Sequence, residues 1–180
     1  MKKYALQDLK DKFKELKYEW LPFMFIGIRS KENQPNKFDD TFIYINGNSI
    51  SYFPNTTNAG TTYLQKLLNP KGTAMLVPNQ YKNTWSLGLH RGKYTALRQV
   101  KPVDVYRDAD KDIYSEMTAI IDRGLFGINI HKANTGITNF INGHSAGCQV
   151  FQNSADFDYI ISECKKSGLK EFTYTLIDEF

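Results

Sequence analysis

The chain has 180 residues, 41% hydrophobic and 14% aromatic, with 23 basic and 19 acidic side chains and a formal net charge of +4. That is enough apolar material for one domain over residues 1–180 with its own core, and the charge, lacking any Lys/Arg run interleaved with aromatics, does not indicate a nucleic-acid partner. The longest apolar run, 21–28, falls far short of the roughly 20 residues that span a bilayer, so no membrane insertion is expected. Charged residues follow Met1-Lys-Lys-Tyr4 where an export signal carries an apolar core, so the expectation is cytoplasmic synthesis without a signal peptide and a separate route of release for action elsewhere.

Residues 4–20 place Leu6, Leu9, Phe13, Leu16 and Trp20 at steps of three and four, the stripe of an N-terminal amphipathic helix that packs on the domain and ends at Pro22. Phe23-Met-Phe-Ile-Gly-Ile28 has the aromatic and β-branched density of a buried strand. Residues 42–45 and 49–53 flank Asn46-Gly-Asn48, a hairpin signal because Asn and Gly tolerate positive φ. After a loop over 54–60 the pattern predicts a short helical turn at 62–68 and a strand at 73–77. The segment 81–98 is extended but irregular, and its aromatic and cationic groups suit the wall of a polar substrate site. Within it Trp85 and Tyr94 read as core. His90, Arg91 and Arg98 are candidate substrate contacts, with a hydrogen-bonded loop histidine the competing reading of His90.

Residues 102–107 alternate as a strand. Asp108-Ala-Asp-Lys-Asp112 opens like a calcium loop but has Ile113 in place of the turn glycine and Ala119 in place of the closing acid. The reading is therefore a solvated acidic turn leading into a weak helix over 112–121, with no metal or cofactor site. Residues 126–130 read as a strand that delivers His131 at its end. A polar loop follows over 132–144, then a strand at 149–151, a helix over 156–166 stopped by Gly168, and a closing strand at 172–177. The fold class is mostly β with a few helices, α+β.

Of the two cysteines, Cys164 falls on the inward stripe of the last helix, whereas Cys148 sits in the small-residue turn Ser145-Ala-Gly-Cys148, 17 positions after His131. A thiol attacks a carbonyl carbon efficiently as thiolate, which calls for a base such as imidazole and for donors to the oxyanion formed. Ala146 and Gly147 allow successive amides to converge on one space, as an oxyanion hole requires. The competing reading is a buried cysteine and a strand-end histidine that serve only structure.

At these residues the sequence resembles the L,D-transpeptidase (YkuD-like) catalytic domain, whose signature is a strand-borne histidine, a loop of about this length and Ser/Thr-His-Gly-Cys. Ile128-Asn-Ile-His131 and Ser145-Ala-Gly-Cys148 occupy those places. Phe38-Asp-Asp, Leu87-Gly-Leu-His90 and His144-Ser-Ala-Gly-Cys-Gln-Val-Phe151 also look like single-domain proteins of phages and their hosts in this branch. The resemblance implies a β-sandwich or barrel acting on peptidoglycan stem peptides through a thioacyl enzyme, as an L,D-transpeptidase or as an L,D-carboxypeptidase or endopeptidase of the endolysin kind. It implies Cys148 as nucleophile, His131 as base, the Lys132 carbonyl as orienter of the imidazole, and the amides of Ala146, Gly147 and Cys148 as oxyanion hole. Ser145, His144, His90, Arg91 and Arg98 are the candidate substrate contacts, and no cofactor is implied. Ala146 replaces the signature histidine, for which His144 is the candidate substitute, and Gln149-Val150 replaces an apolar residue followed by Arg or Asn. The alternative function is a non-catalytic cell-wall-binding or phage structural module with the same fold.

Overall fold

The computed structural model describes residues 2–32 and 34–180. In chain order the elements are α1 (Leu6–Glu15), β1 (Phe23–Arg29), β2 (Asp40–Asn46), β3 (Ser49–Thr56), α2 (Thr61–Gln65), β4 (Thr73–Leu76), β5 (Asn79–His90), β6 (Tyr94–Gln99), β7 (Val103–Asp108), β8 (Ile121–Gly124), β9 (Ile130–Lys132), β10 (Gln149–Phe151), α3 (Ser154–Ser167) and β11 (Phe172–Asp178). One 3-10 turn, Asn142–His144, precedes the cysteine. The fold is α+β and mostly strand: eight strands close a barrel in the order β1-β11-β5-β6-β9-β10-β3-β2, and β4-β7-β8 form a second sheet.

The barrel rests on strands buried on both faces. Along β1, Phe25 faces the main core while Met24, Ile26 and Ile28 face the other way; along β2, Phe42 and Tyr44 alternate in the same manner with Ile43 and Ile45. The second set is covered by Leu9 and Phe13 of α1, which is why the β1 segment reads as an unbroken apolar run. Helix α1 is shorter than the sequence stripe predicts. It ends at Glu15, Lys17 takes φ +59°, and Trp20 returns as an edge contact on Phe13 (5.1 Å between centroids), so the stripe reports a shared packing face, not a continuous helix.

Three further expectations are corrected. The irregular segment 81–98 is a long hairpin, β5 and β6, paired from Trp85↔Gln99 to His90↔Tyr94. No helix forms over 112–121: the Asp110 and Asp112 carboxylates capture the amides of Asp112 (3.0 Å) and Tyr114 (2.6 Å), a local competitor to helix bonds, and Ile121 starts β8 against Tyr106. Residues 126–129 are arched, not strand. Gly127 takes φ +72°, and the Gln99 side-chain oxygen accepts from the amides of Phe126 (3.1 Å) and Ile128 (2.9 Å), so β9 begins only at Ile130 and His131 lies at its middle.

The two sheets are joined by a buried cation. The Arg29 guanidinium donates to Thr57 Oγ1 (2.9 Å) and to the Leu76 carbonyl of β4 (2.9 Å), while Asp40 accepts from the amides of Ser30 (2.7 Å) and Thr57 (2.6 Å). Burial, then the neighbouring Asp39, pushes the Asp40 carboxyl up to about 6, with hydrogen bonds and Arg29 opposing.

Tyr174 of β11 packs against Trp85 and Phe42 and carries its hydroxyl over Gly27, where an added Cβ would lie 1.8 Å from that oxygen. Gly27→Ala is expected to lower stability by about 1–3 kcal/mol through overpacking around this fixed ring, read by thermal or urea unfolding.

Candidate active site

Strands β9 and β10 run parallel, with Val150 opposite His131 and Gln149 opposite Ile130. The bond from Gln149 N–H to the Asn129 carbonyl (2.9 Å) carries the pairing one step further back. Side chains alternate along extended chain, so Cys148 shares a face with Asn129 and His131, and all three line one cavity of about 370 Å³. His90, Arg91, Arg98, His144 and Ala146 line it too. Of the remaining sequence candidates, Lys132 lines a smaller adjoining cavity, and Ser145 and Gly147 are buried behind the wall.

The imidazole of His131 is held on several sides. Its Nδ1 lies 2.8 Å from the Lys132 carbonyl, which can only accept, so Nδ1 carries the proton and Nε2 keeps the lone pair. Tyr94 Oη donates to the same carbonyl (3.2 Å), and the ring stacks on His90 at 4.2 Å between centroids with 23° between planes. Tyr94 packs against the main core, as read from sequence, and its hydroxyl also reaches the carbonyl that holds His131.

Burial favours the neutral form of both His131 and Cys148. Burial, reinforced by His90, pushes His131 down to about 3. Burial pushes the Cys148 thiol up to about 11 although its edge reaches the cavity, with the Asn129 amide and Arg91 opposing, and the thiol donates to the Gly127 carbonyl (3.4 Å). Burial thus favours the thiol over a resting thiolate, because desolvation outweighs the nearby charge of Arg91.

The cysteine turn is braced from within. Ser145 Oγ donates to the Cys148 carbonyl (2.9 Å) and accepts from the Gly147 amide (3.1 Å), and the Ser145 carbonyl accepts from Gly60 N–H (3.0 Å). Ser145 is fully buried and supports the turn from behind, and the Gly147 amide is engaged by its hydroxyl. Gln149, also fully buried, accepts from Tyr174 Oη (2.7 Å) and so ties the turn to β11.

Arg91 and Gly92 occupy the tip of the β5–β6 hairpin at φ +50° and +71°, closed by Lys93 N–H on the His90 carbonyl (2.9 Å), a type I′ turn in which arginine stands at a position that favours Asn or Gly. Among the described residues the guanidinium of neither Arg91 nor Arg98 has a hydrogen-bonded or ion-paired partner. Two smaller cavities extend the main one, one reaching Arg107 past Ala146 and the other reaching Lys93 and Lys132 past His144. Among the described residues no Asp or Glu lines any of the three.

Sequence reasoning passed over Asn129, Gln99 and Gln149. Asn129 carried a usable signal, since it stands two positions before His131 and therefore on the same face of extended chain. The other two act from neighbouring strands, and only the pairing reveals them. Elsewhere, Asp110, Asp112 and Glu116 bring ligand oxygens within 4.8 Å of one another on the exposed turn after β7, the one metal-compatible cluster among the described residues. Comparison with family models, curated proteins and solved structures finds no match to this chain.

Gly147 takes φ +110°, and a Cβ there would lie 1.8 Å from the Ala74 carbonyl oxygen, so Gly147→Ala is expected to cost at least about 2 kcal/mol by strain and clash, measured by urea unfolding. His131 supplies a second prediction. Between its unfolded value near 6.5 and its folded value of about 3 the unfolded chain binds a proton that the folded chain refuses, so this group's contribution to stability is lost as pH falls through that window. The loss expected by pH 5 is about 2 kcal/mol, and His131→Gln should flatten that part of the stability-against-pH curve.

Proposed function

We propose that this chain is a cysteine acyl-transfer enzyme that acts on peptidoglycan stem peptides through a thioacyl intermediate. The observation that carries the reading is the shared face of Cys148 and His131 in one cavity, with the His131 tautomer fixed so that its lone pair serves as base. His131 Nε2 removes the thiol proton as sulfur attacks the scissile carbonyl; the C–S bond forms, and the carbonyl electron pair moves to oxygen. Collapse breaks the C–N bond as the imidazolium returns the proton to the departing amine, and an amine or water then takes the acyl group. A cleft lined by Arg91 and Arg98, with Lys93 at one end and no lining acid, suits a peptide that carries carboxylates; Lys132 and Arg107 at its margins are already paired with Asp158 and Asp122.

The wall-chemistry part of the reading rests on the His131 and Ser-Ala-Gly-Cys148 pattern and its resemblance to L,D-transpeptidases. A neutral thiol and a neutral imidazole suit proton transfer concerted with attack, without a preformed ion pair. One observation favours the non-catalytic wall-binding reading instead: the thiol's hydrogen bond goes to the Gly127 carbonyl, an acceptor that disfavours ionisation.

Purified sacculi digested with the wild type should yield muropeptides with shortened or exchanged stems, and Cys148→Ala should yield none. Incorporation of an added D-amino acid identifies a transferase, and shortened stems alone a hydrolase. Indistinguishable profiles from wild type and variant would discard the enzyme reading in favour of the binding module.

A further inference from the structure

Three histidines line the cavity, and the proposed mechanism uses one. The tautomer of a second, His90, is fixed by a chain of bonds that starts on the backbone. The Gln99 amide donates to Asn129 Oδ1 (3.0 Å), which identifies that atom as the amide oxygen and the other terminal atom of Asn129 as its NH₂. The NH₂ lies 3.3 Å from His90 Nδ1 and can only donate to it. His90 therefore accepts at Nδ1 and carries its proton on Nε2, the reverse of His131, on which it stacks at 4.2 Å. Among the described residues nothing accepts from His90 Nε2–H, and nothing donates to His131 Nε2. The stacked pair thus offers the cavity one hydrogen-bond donor and one acceptor, both neutral.

The cysteine turn lacks a donor. Of its three amides, that of Gly147 is engaged by Ser145 Oγ (3.1 Å), while the developing oxyanion of an acyl transfer gains most from several fixed donors in a desolvated site. Building on the acyl-transfer reading, we infer that His90 is a catalytic residue whose Nε2–H donates to the oxyanion formed when Cys148 attacks, with Asn129 and the Gln99 amide holding it in that tautomer. No proton is transferred from His90: it stabilises the oxygen while His131 takes the thiol proton and later releases it. Burial, then the charges of Arg91 and Arg98, holds His90 below the ordinary histidine range, consistent with a neutral donor.

Two reagents separate this role from help given to the base. Acetylation of Cys148 by p-nitrophenyl acetate passes through an oxyanion: the C–S bond forms, p-nitrophenolate leaves, and the thiol proton passes through His131 to solvent. Alkylation by iodoacetamide displaces iodide at a saturated carbon and forms no oxyanion. His90→Phe keeps a ring to stack on His131 and removes the donor, whereas His90→Gln places a side-chain amide donor near the position of Nε2. The expectation is that His90→Phe slows acetylation on the order of 100-fold with alkylation changed less than about threefold, and that His90→Gln recovers acetylation to within about tenfold of wild type. Equal slowing of both reactions by His90→Phe overturns the inference in favour of support for the base. Unchanged acetylation, or failure of glutamine to restore it, also overturns it. Imidazole ¹⁵N–¹H spectra of the wild type supply a test free of any reaction: the proton must reside on Nε2 of His90 and on Nδ1 of His131, and an Nδ1–H tautomer of His90 refutes the inference. A wild-type thiol that alkylates but never acetylates refutes the acyl-transfer reading itself, and this donor with it.

Discussion

The parallel pairing of β9 with β10 is the constraint from which the site follows. Each strand is three residues long, too short to hold a register by its own hydrogen bonds. The register is imposed from outside. Strand β6 meets Ile130 through Leu97, β3 pairs with Val150 and Phe151, and Gln149 is tied to Tyr174 of β11. A slip of one residue on either strand would turn its half of the site to the opposite face, because side chains alternate with a period of two. The barrel thus acts as a jig for two short strands, and its doubly buried β1 and β2, roofed by α1, make that jig stiff.

Burial sets the electrostatics as firmly as pairing sets the geometry. His131 and Cys148 are surrounded by neutral or cationic groups and by no lining acid, so nothing compensates an imidazolium and little compensates a thiolate. The low-dielectric setting holds both in the neutral form, and the same setting strengthens any hydrogen bond offered to charge that develops during reaction. The carbonyl of Lys132 orients the imidazole and by itself favours its protonation, but burial outweighs it and leaves Nε2 unprotonated well into acidic solution.

Much of the frame was legible in the residues. The doubly apolar run before Arg29, the hairpin signal at Gly47 and the helix bounded by Asn153 and Gly168 all formed close to their expected limits, because local pattern and tertiary burial agree there. The segment 81–98 was not legible as a hairpin, since its turn uses Arg91 at a left-handed position instead of Asn or Gly. The arch at 126–129 was misread as strand because Gln99, from β6, supplies the acceptor that a neighbouring backbone would have supplied. The helix expected over 112–121 failed where aspartates bind their own backbone. In the site, residue identity at His131 and Cys148 was readable, but the withdrawal of the Gly147 amide by Ser145 and the tautomers of both histidines depend on contacts across strands.

Those contacts also bear on Val150 and Ala146, which flank the cysteine. Val150 stands directly opposite His131 and is fully buried, so a cation or polar amide there would need a partner that this face does not provide. Cationic groups instead enter the cavity from the β5–β6 hairpin, through Arg91 at its tip and Arg98 along its second strand. Ala146 lines both the main cavity and the neighbouring one that reaches Arg107. The cationic groups of the cavity thus come from the hairpin, while the cysteine's own turn is small and braced by Ser145.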